Sequence, residues 1–281
     1  MPELPETETI ARDLHELIVG ATIRDVIVWR PDVLREADAE SFKHQLSGGR
    51  IVRVWRRAKL IVLDIDTSSG PCHVVVQPRF TGGLLVDADG TRPEDPADQP
   101  YVCVTFPLSD GRVLHYRDVR RLGTVALMSP MRFAEYSEGL GIEPLDPAFT
   151  DDAFSGCVRE SRQAIKIALM DQRRLAGVGN IYANEALWRA GIDPSREACT
   201  LSDPELGQLR TELQQVLTAS IAARGTSFRD YRDARGERGA FVEQLAAYGR
   251  AGLPCHRCGR RLVGTHAVDG RTTVFCPNCQ R

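Results

Sequence analysis

The chain has 281 residues, 42% hydrophobic and 26% charged, and 36 lysines and arginines against 38 aspartates and glutamates leave a formal net charge of -2. At roughly 100 to 200 residues per domain, this length accommodates two domains, or two and an appendage. No apolar run approaches the ~20 residues of a membrane helix, the composition is neither disordered nor collagen-like, and the charge balance gives no whole-chain attraction to a polyanion.

The N-terminal MPELPETETIARDL is acidic and lacks the basic and apolar regions of a signal peptide, so it reads as the complete start of an intracellular protein. After Pro5, Ile10, Leu14, Leu17 and Ile18 recur on one face, predicting a helix that stops at Gly20. From there to about Met128 the pattern changes to short β-rich runs: TIRDVIVW, RIVRVW, LIVLDI, HVVV, YVCVTF, RVLHY and GTVALM. Seven or eight such strands separated by polar turns predict an antiparallel sandwich or barrel. Residues 88–100, rich in Asp, Pro and Gly, predict a long exposed loop, and 131–150, a short apolar helix-like stretch followed by EPLDP, a linker.

Beyond Asp151 helix replaces strand. Ser202, Asp203, Pro204 and Glu205 form a capping box ahead of the stripe Leu206, Leu209, Leu213, Val216 and Leu217. Between Arg224 and Gly239, alternating charges around Gly225, Gly236 and Gly239 predict a mobile polar loop rather than core. The tail from Pro254 reads as a separate small unit. The expected architecture is therefore α+β and multidomain: an N-terminal antiparallel β-sandwich with flanking helices (1–130), a linker (131–150), a helical domain (151–244) and a small C-terminal unit (245–281).

Cys72, Cys103, Cys157 and Cys199 are scattered singly, which is no secreted disulfide framework and points to a reducing compartment. The other four cysteines differ. Cys255 and Cys258, then Cys276 and Cys279, form two CxxC pairs separated by seventeen residues, spacing that brings four thiolates to one tetrahedral ion around a hairpin at VDGRTT. A unit this small has too little core to fold without a metal or crosslinks. Four sulfur ligands leave no open position, so one structural zinc per chain and no organic cofactor are expected, with His256 and His266 at the surface.

Two basic runs stand out. Arg50, Arg53, Arg56, Arg57 and Lys59 lie within ten residues without an acid, and the segment from Arg250 to Arg281 holds six arginines against the single acid Asp269. By default each is a solvated face. Arg271 at the hairpin tip also fits a phosphate backbone or a minor groove. In LMDQRRLAGVGNIYANEAL, Gly177 and Gly179 allow a sharp turn into a new helix near Asn180, whose side chain and free amides suit a phosphate. Such a turn alone is more often a plain connector.

The first residues carry unusual chemistry. Methionine before a small proline is normally removed, which would leave Pro2 as a secondary amine with a pKa near the ~8 of α-amino groups and a nucleophilic fraction at neutral pH. Attack on a sugar aldehyde carbon gives an iminium that cannot lose a proton from nitrogen and persists as an electron sink for elimination. Glu3 and Glu6 stand beside it as candidate proton carriers. A proline-rich start by itself is more often a helix lead-in.

Taken together, MPELPE, RRAK (56–59), DVRRLG (118–123), GVGNIYANE (177–185) and the four-cysteine unit closed by FCPNCQ resemble the formamidopyrimidine-DNA glycosylase family, which also contains endonuclease VIII. The likeness spans the chain in the family's order. It implies a β-sandwich lobe, then a helix-two-turn-helix domain with a β-hairpin zinc finger, and damaged duplex DNA bound between lobes. It also implies excision of an oxidised purine (8-oxoguanine or a formamidopyrimidine), then strand cleavage by β- and δ-elimination. Pro2 would be the nucleophile, Glu3 the acid/base residue and Glu6 its support. Lys59, Asn180 and Arg271 would hold the phosphates of the lesion nucleotide, with Lys166 among the DNA contacts. A monomer in the prokaryotic cytoplasm, at the nucleoid, is implied as well.

Leu4 matches the purine-lesion branch, where endonuclease VIII typically has glycine, and the polar loop at 224–239 resembles the one that closes over an extruded purine. There are departures. Phe80 stands where the family has the methionine that fills the vacated gap, and Leu122 replaces its phenylalanine wedge, while Arg120 or Arg121 remains for the orphaned base. Both wedges still fill a stacked gap, so the exchange bears on lesion and opposite-base preference rather than on the chemistry. The competing readings are an oxidised-pyrimidine glycosylase like endonuclease VIII and a lesion-binding paralogue that does not cut.

Overall fold

The computed structural model describes residues 2–87 and 101–281; the loop expected at 88–100 lies outside the described residues. The chain divides into two compact units, Met1–Glu138 with Arg224–Ala240, and Gly139–Ala223 with Phe241–Arg281.

In the first unit, α1 (Leu4–Ile18) starts on a capping box between Glu3 and Glu6 and buries Ile10, Leu14 and Ile18 completely. There follow β1 (Ile27–Val28), β2 (Leu34–Arg35), α2 (Ala39–Leu46), β3 (Arg50–Arg57), β4 (Leu60–Thr67), β5 (Gly70–Gln77), β6 (Gly82–Asp87), β7 (Val102–Pro107), β8 (Val113–Asp118), β9 (Thr124–Met128) and α3 (Pro130–Glu138). The strands make a four-stranded sheet ordered β1-β7-β8-β6 and a five-stranded sheet ordered β2-β9-β5-β4-β3. Alternate residues such as Ile61, Leu63 and Ile65 of β4 meet Val104 and Phe106 of β7 and the apolar stripe of α1 in one core. The sandwich is antiparallel except where β2 runs parallel to β9.

Two expectations change in this unit. The TIRDVIVW segment keeps only Ile27–Val28 as strand, because Thr22 bridges to Arg50 and Ile23 to Leu108, so its pairing is divided between two partners. Strand β6 went unpredicted: Gly82 and Gly83 dilute its β-branched signal, yet it pairs with β8 over its whole length. The short helix-like stretch expected at the start of the linker is α3, whose buried Phe133 packs on Trp55 and His73 of the five-stranded sheet.

In the second unit, α4 (Asp151–Val158), α5 (Ile165–Met170), α6 (Asn180–Ala190) and α7 (Asp203–Ala222) precede the hairpin of β10 (Val263–Thr265) and β11 (Thr273–Phe275). The stripe Leu206, Leu209, Leu213, Val216 and Leu217 is buried, and Tyr182 of α6 is hydrogen-bonded to Ser220 of α7 at 2.6 Å. The cysteine unit does not stand apart as expected. Cys255, Leu262, Val274 and Cys276 share a small core with Trp188, Ala246 and Ala247. The buried Glu185 of α6 accepts from the amides of Ala246, Ala247 and Tyr248 at 2.8 to 2.9 Å, so the chain entering the cysteine unit is anchored to the helix. Burial pushes the Glu185 carboxyl up, while these amides pull it the other way.

Candidate functional site

Pro2, Glu3 and Glu6 are brought together at the buried start of α1, where Glu3 and Glu6 are each 1% exposed. The Glu3 amide donates to Glu6 Oε2 at 2.9 Å, and the Thr226 amide donates to Glu6 Oε1 at 2.8 Å. Both Glu6 oxygens therefore have backbone donors, which makes Glu6 a group that holds the helix start in place. Lys59 is half-buried in the two-residue turn joining β3 to β4, beside Ala58 at φ 53°. Close to this turn, Arg56 pairs with Glu8 of α1 at 2.7 Å and with the Ala58 carbonyl at 3.0 Å. Burial works against the Glu8 carboxylate, but Arg56 and Arg12 hold it below the ordinary range. The run from Arg50 to Lys59 is thus no single basic face, because Arg56 bonds to α1 and Arg57 to Ser137.

The segment expected to be mobile, 224–239, is instead folded onto α1 in the first unit and carries buried Ser227, Tyr231, Asp233 and Ala234. Arg224 bonds Asp13 of α1 at 2.6 Å and Asp233 at 2.7 Å, and Arg235 reaches Glu16 at 2.7 Å. Gly225, at φ +85°, lies where a Cβ would sit 3.0 Å from Glu6 Cγ, so a larger residue would push against Glu6. Alternating charge hid this because Arg224 and Arg235 find acids of α1 far along the chain.

Phe80 and Arg120 also come together. Phe80 is 44% exposed at φ 47°, and the Arg120 guanidinium lies 4.8 Å above its ring, so Phe80 is no core residue of the sandwich. Leu122 is 41% exposed, and Arg121 pairs with Asp32 at 3.1 Å.

In the second unit, Asn180 Nδ2 donates to the Thr272 carbonyl at 3.0 Å, which joins the start of α6 to the hairpin turn carrying the exposed Arg271. Gln172, which the sequence pattern did not single out, bonds the Met170 and Val178 carbonyls and the Gly177 amide, shaping the turn before α6. Lys166, expected among the DNA contacts, is instead turned inward: its ammonium is fully buried, donating to Thr273 at 2.8 Å and Asp269 at 3.1 Å. It steadies the hairpin from inside, and in this arrangement no phosphate reaches it.

The sulfurs of Cys255, Cys258, Cys276 and Cys279 all lie within 4.8 Å of one another, as one tetrahedral ion requires. Burial opposes ionisation of Cys255, but the amides of Arg257 and Cys258 outweigh it and bring the thiol down to about 6. Proton sharing with Cys258 pushes the Cys279 thiol up to about 12. Four sulfurs this close do not all ionise without a cation among them, and a zinc ion resolves the conflict. His256 and His266 are exposed and outside the cluster.

The fold and these groups define a class: a β-sandwich with a buried helix start, and a helical unit ending in a structural zinc finger. Residues 1–125 match the formamidopyrimidine-DNA glycosylase N-terminal domain, 140–232 its helix-two-turn-helix domain, and 252–281 the zinc finger found in these glycosylases and in isoleucyl-tRNA synthetase. The chain is 39% identical over 282 residues to a formamidopyrimidine-DNA glycosylase of Desulfitobacterium hafniense, covering 100% of both. Two solved relatives are Lactococcus lactis Fpg in complex with abasic-site DNA (TM-score 0.89, 32% identity, 99% of each chain) and Thermus thermophilus MutM (TM-score 0.85, 36% identity, 99% of this chain and 98% of that one). The chain belongs to the formamidopyrimidine-DNA glycosylase family.

Proposed function

We propose that this chain is a bifunctional DNA glycosylase and abasic-site lyase of base excision repair, acting on oxidised purines in duplex DNA. The observation that carries this is the buried Pro2-Glu3 helix start, held by Glu6 between two backbone amides. With Met1 removed, the Pro2 nitrogen forms a bond to C1′ of the lesion sugar as the base leaves, and a proton from Glu3 opens the ring at O4′. The iminium acidifies C2′, which loses a proton; the released electron pair forms the C2′–C3′ double bond and breaks the C3′–O bond, expelling the 3′ phosphate. Lys59, Asn180 and Arg271 hold the flanking phosphates, Phe80 and Leu122 fill the vacated stack, and Arg120 or Arg121 faces the orphaned base. Among the described residues no helix is long and apolar enough to cross a membrane. We read the chain as a prokaryotic, nucleoid-associated monomer, supported by the proposed DNA substrate.

Borohydride trapping on duplexes that differ only in the lesion tests this. The covalent adduct forms fastest with an oxidised purine; no adduct with any damaged duplex would refute the activity. One finding favours a second reading, oxidised pyrimidines as substrates: the L. lactis enzyme has also been solved in complex with DNA containing an oxidised pyrimidine. Faster trapping on such a duplex would select it.

The zinc finger makes a separate prediction. Cys258→Ser removes one ligand, so zinc falls from one per chain to none by elemental analysis. DNA binding weakens too, because the small core under the hairpin no longer holds Arg271 in place. Full DNA affinity in the zinc-free variant would show that the finger has no part in binding.

A further inference from the structure

Asp118 ends β8 and is 1% exposed, and both of its carboxylate oxygens are in use. Oδ1 accepts from the Thr81 hydroxyl at 2.6 Å and the Arg120 amide at 3.1 Å. Oδ2 accepts from the Gly123 amide at 2.7 Å and the Tyr116 hydroxyl at 3.3 Å. The Arg120 amide also donates to Thr81 Oγ1 at 3.0 Å. Thr81 follows Phe80 in the loop between β5 and β6, and Arg120 and Gly123 bracket Arg121 and Leu122 in the loop between β8 and β9. One carboxylate therefore joins the two loops that present Phe80, Arg120 and Leu122.

Both loops contain backbone that an ordinary residue resists, at Phe80 (φ 47°) and Arg121 (φ 50°), and such conformations persist only where their surroundings over-determine them. Asp118 is the constraint the two loops share. A Cβ at Gly123 would lie 2.1 Å from the Tyr116 hydroxyl and 3.0 Å from Asp118 Oδ2, so the loop backbone sits directly against the hub. Burial, and then the Asp118 charge, push the Tyr116 phenol far above its ordinary range, so it stays protonated and donating. Four donors converge on two oxygens; an amide would face one pair with its own N–H groups and lose that side.

We propose that Asp118 is a positioning residue for the DNA wedge. It holds Phe80, Arg120 and Leu122 as one preformed unit, so that the gap left by an extruded nucleotide is filled without either loop having to order on binding. The inference rests on the glycosylase activity proposed for this chain. Thr81→Val tests it mildly, keeping the shape of a half-buried side chain while removing the hydroxyl between the loops; Asp118→Asn is the stronger variant.

Binding to a duplex holding an abasic-site analogue is compared with single-turnover cleavage of a single-stranded abasic oligonucleotide, with melting temperature measured alongside. Thr81→Val weakens duplex binding about tenfold and changes single-strand cleavage by less than about twofold, with Asp118→Asn larger in the same direction. Combined with Phe80→Ala, Thr81→Val adds little, since both remove the same unit. Additive losses, unchanged duplex affinity, or equal losses on both substrates in proportion to melting temperature would overturn the proposal. A parent protein that leaves the single-stranded abasic oligonucleotide uncleaved would instead overturn the proposed lyase activity.

Discussion

A chain that retains Met1, or carries one added residue before Pro2, yields no borohydride-stable adduct with abasic DNA. The amine that must attack C1′ is then an amide nitrogen, whose lone pair is delocalised into the carbonyl and is not nucleophilic. The loss is on the order of a thousandfold or more, the scale seen when a covalent nucleophile is removed. Pro2→Gly tests a finer point. Its primary amine still attacks, but the imine it forms can lose its proton and go neutral, so the electron sink weakens and trapping falls without vanishing. Mass spectrometry of the mature protein lacking Met1 is the companion result. Normal adduct formation by a chain with Met1 in place would put the nucleophile elsewhere.

Glu3→Gln separates base excision from strand cleavage. The Glu3 carboxyl group lies at the buried start of α1, 1% exposed and beside Pro2, where it is placed to serve as the proton carrier of the proposed mechanism. Without it, excision of an oxidised base falls by about a hundred- to ten-thousandfold, the range of a lost general acid. A preformed abasic site keeps more of its rate, because its sugar opens without a leaving base and the Pro2 amine is intact. The two assays, run on the same protein preparation, therefore diverge. Equal activity of variant and parent on the base lesion would remove Glu3 from the mechanism. Glu6→Gln behaves differently: its oxygens bond the amides of Glu3 and Thr226, so both assays fall together as the helix start loosens.

How much was legible in the sequence follows from how local each signal is. The α1 stripe and the Ser202-Glu205 capping box are written within a few turns of chain and the four cysteines in two local CxxC pairs, and each is where it was expected. The family likeness carried the site in the same way, through short motifs. What the sequence hid is long-range. The charges between Arg224 and Gly239 looked solvated until Asp13 and Glu16, more than two hundred residues earlier, supplied their partners. Lys166 stood among the expected DNA contacts, but Asp269 and Thr273 of the finger hold its ammonium in the interior.

The sequence by itself determined the elements with strong periodicity and the four zinc ligands, because these depend on residue type and on short, regular spacings. Only the tertiary structure decided which polar groups are occupied. Glu6 holds the helix start, Lys166 is turned inward, Phe80 is at the surface under Arg120, and Asp118 joins two loops. The physical reason is that a carboxylate or an ammonium is committed by whichever partner the fold brings within about 3 Å, and that partner is set by packing rather than by chain distance.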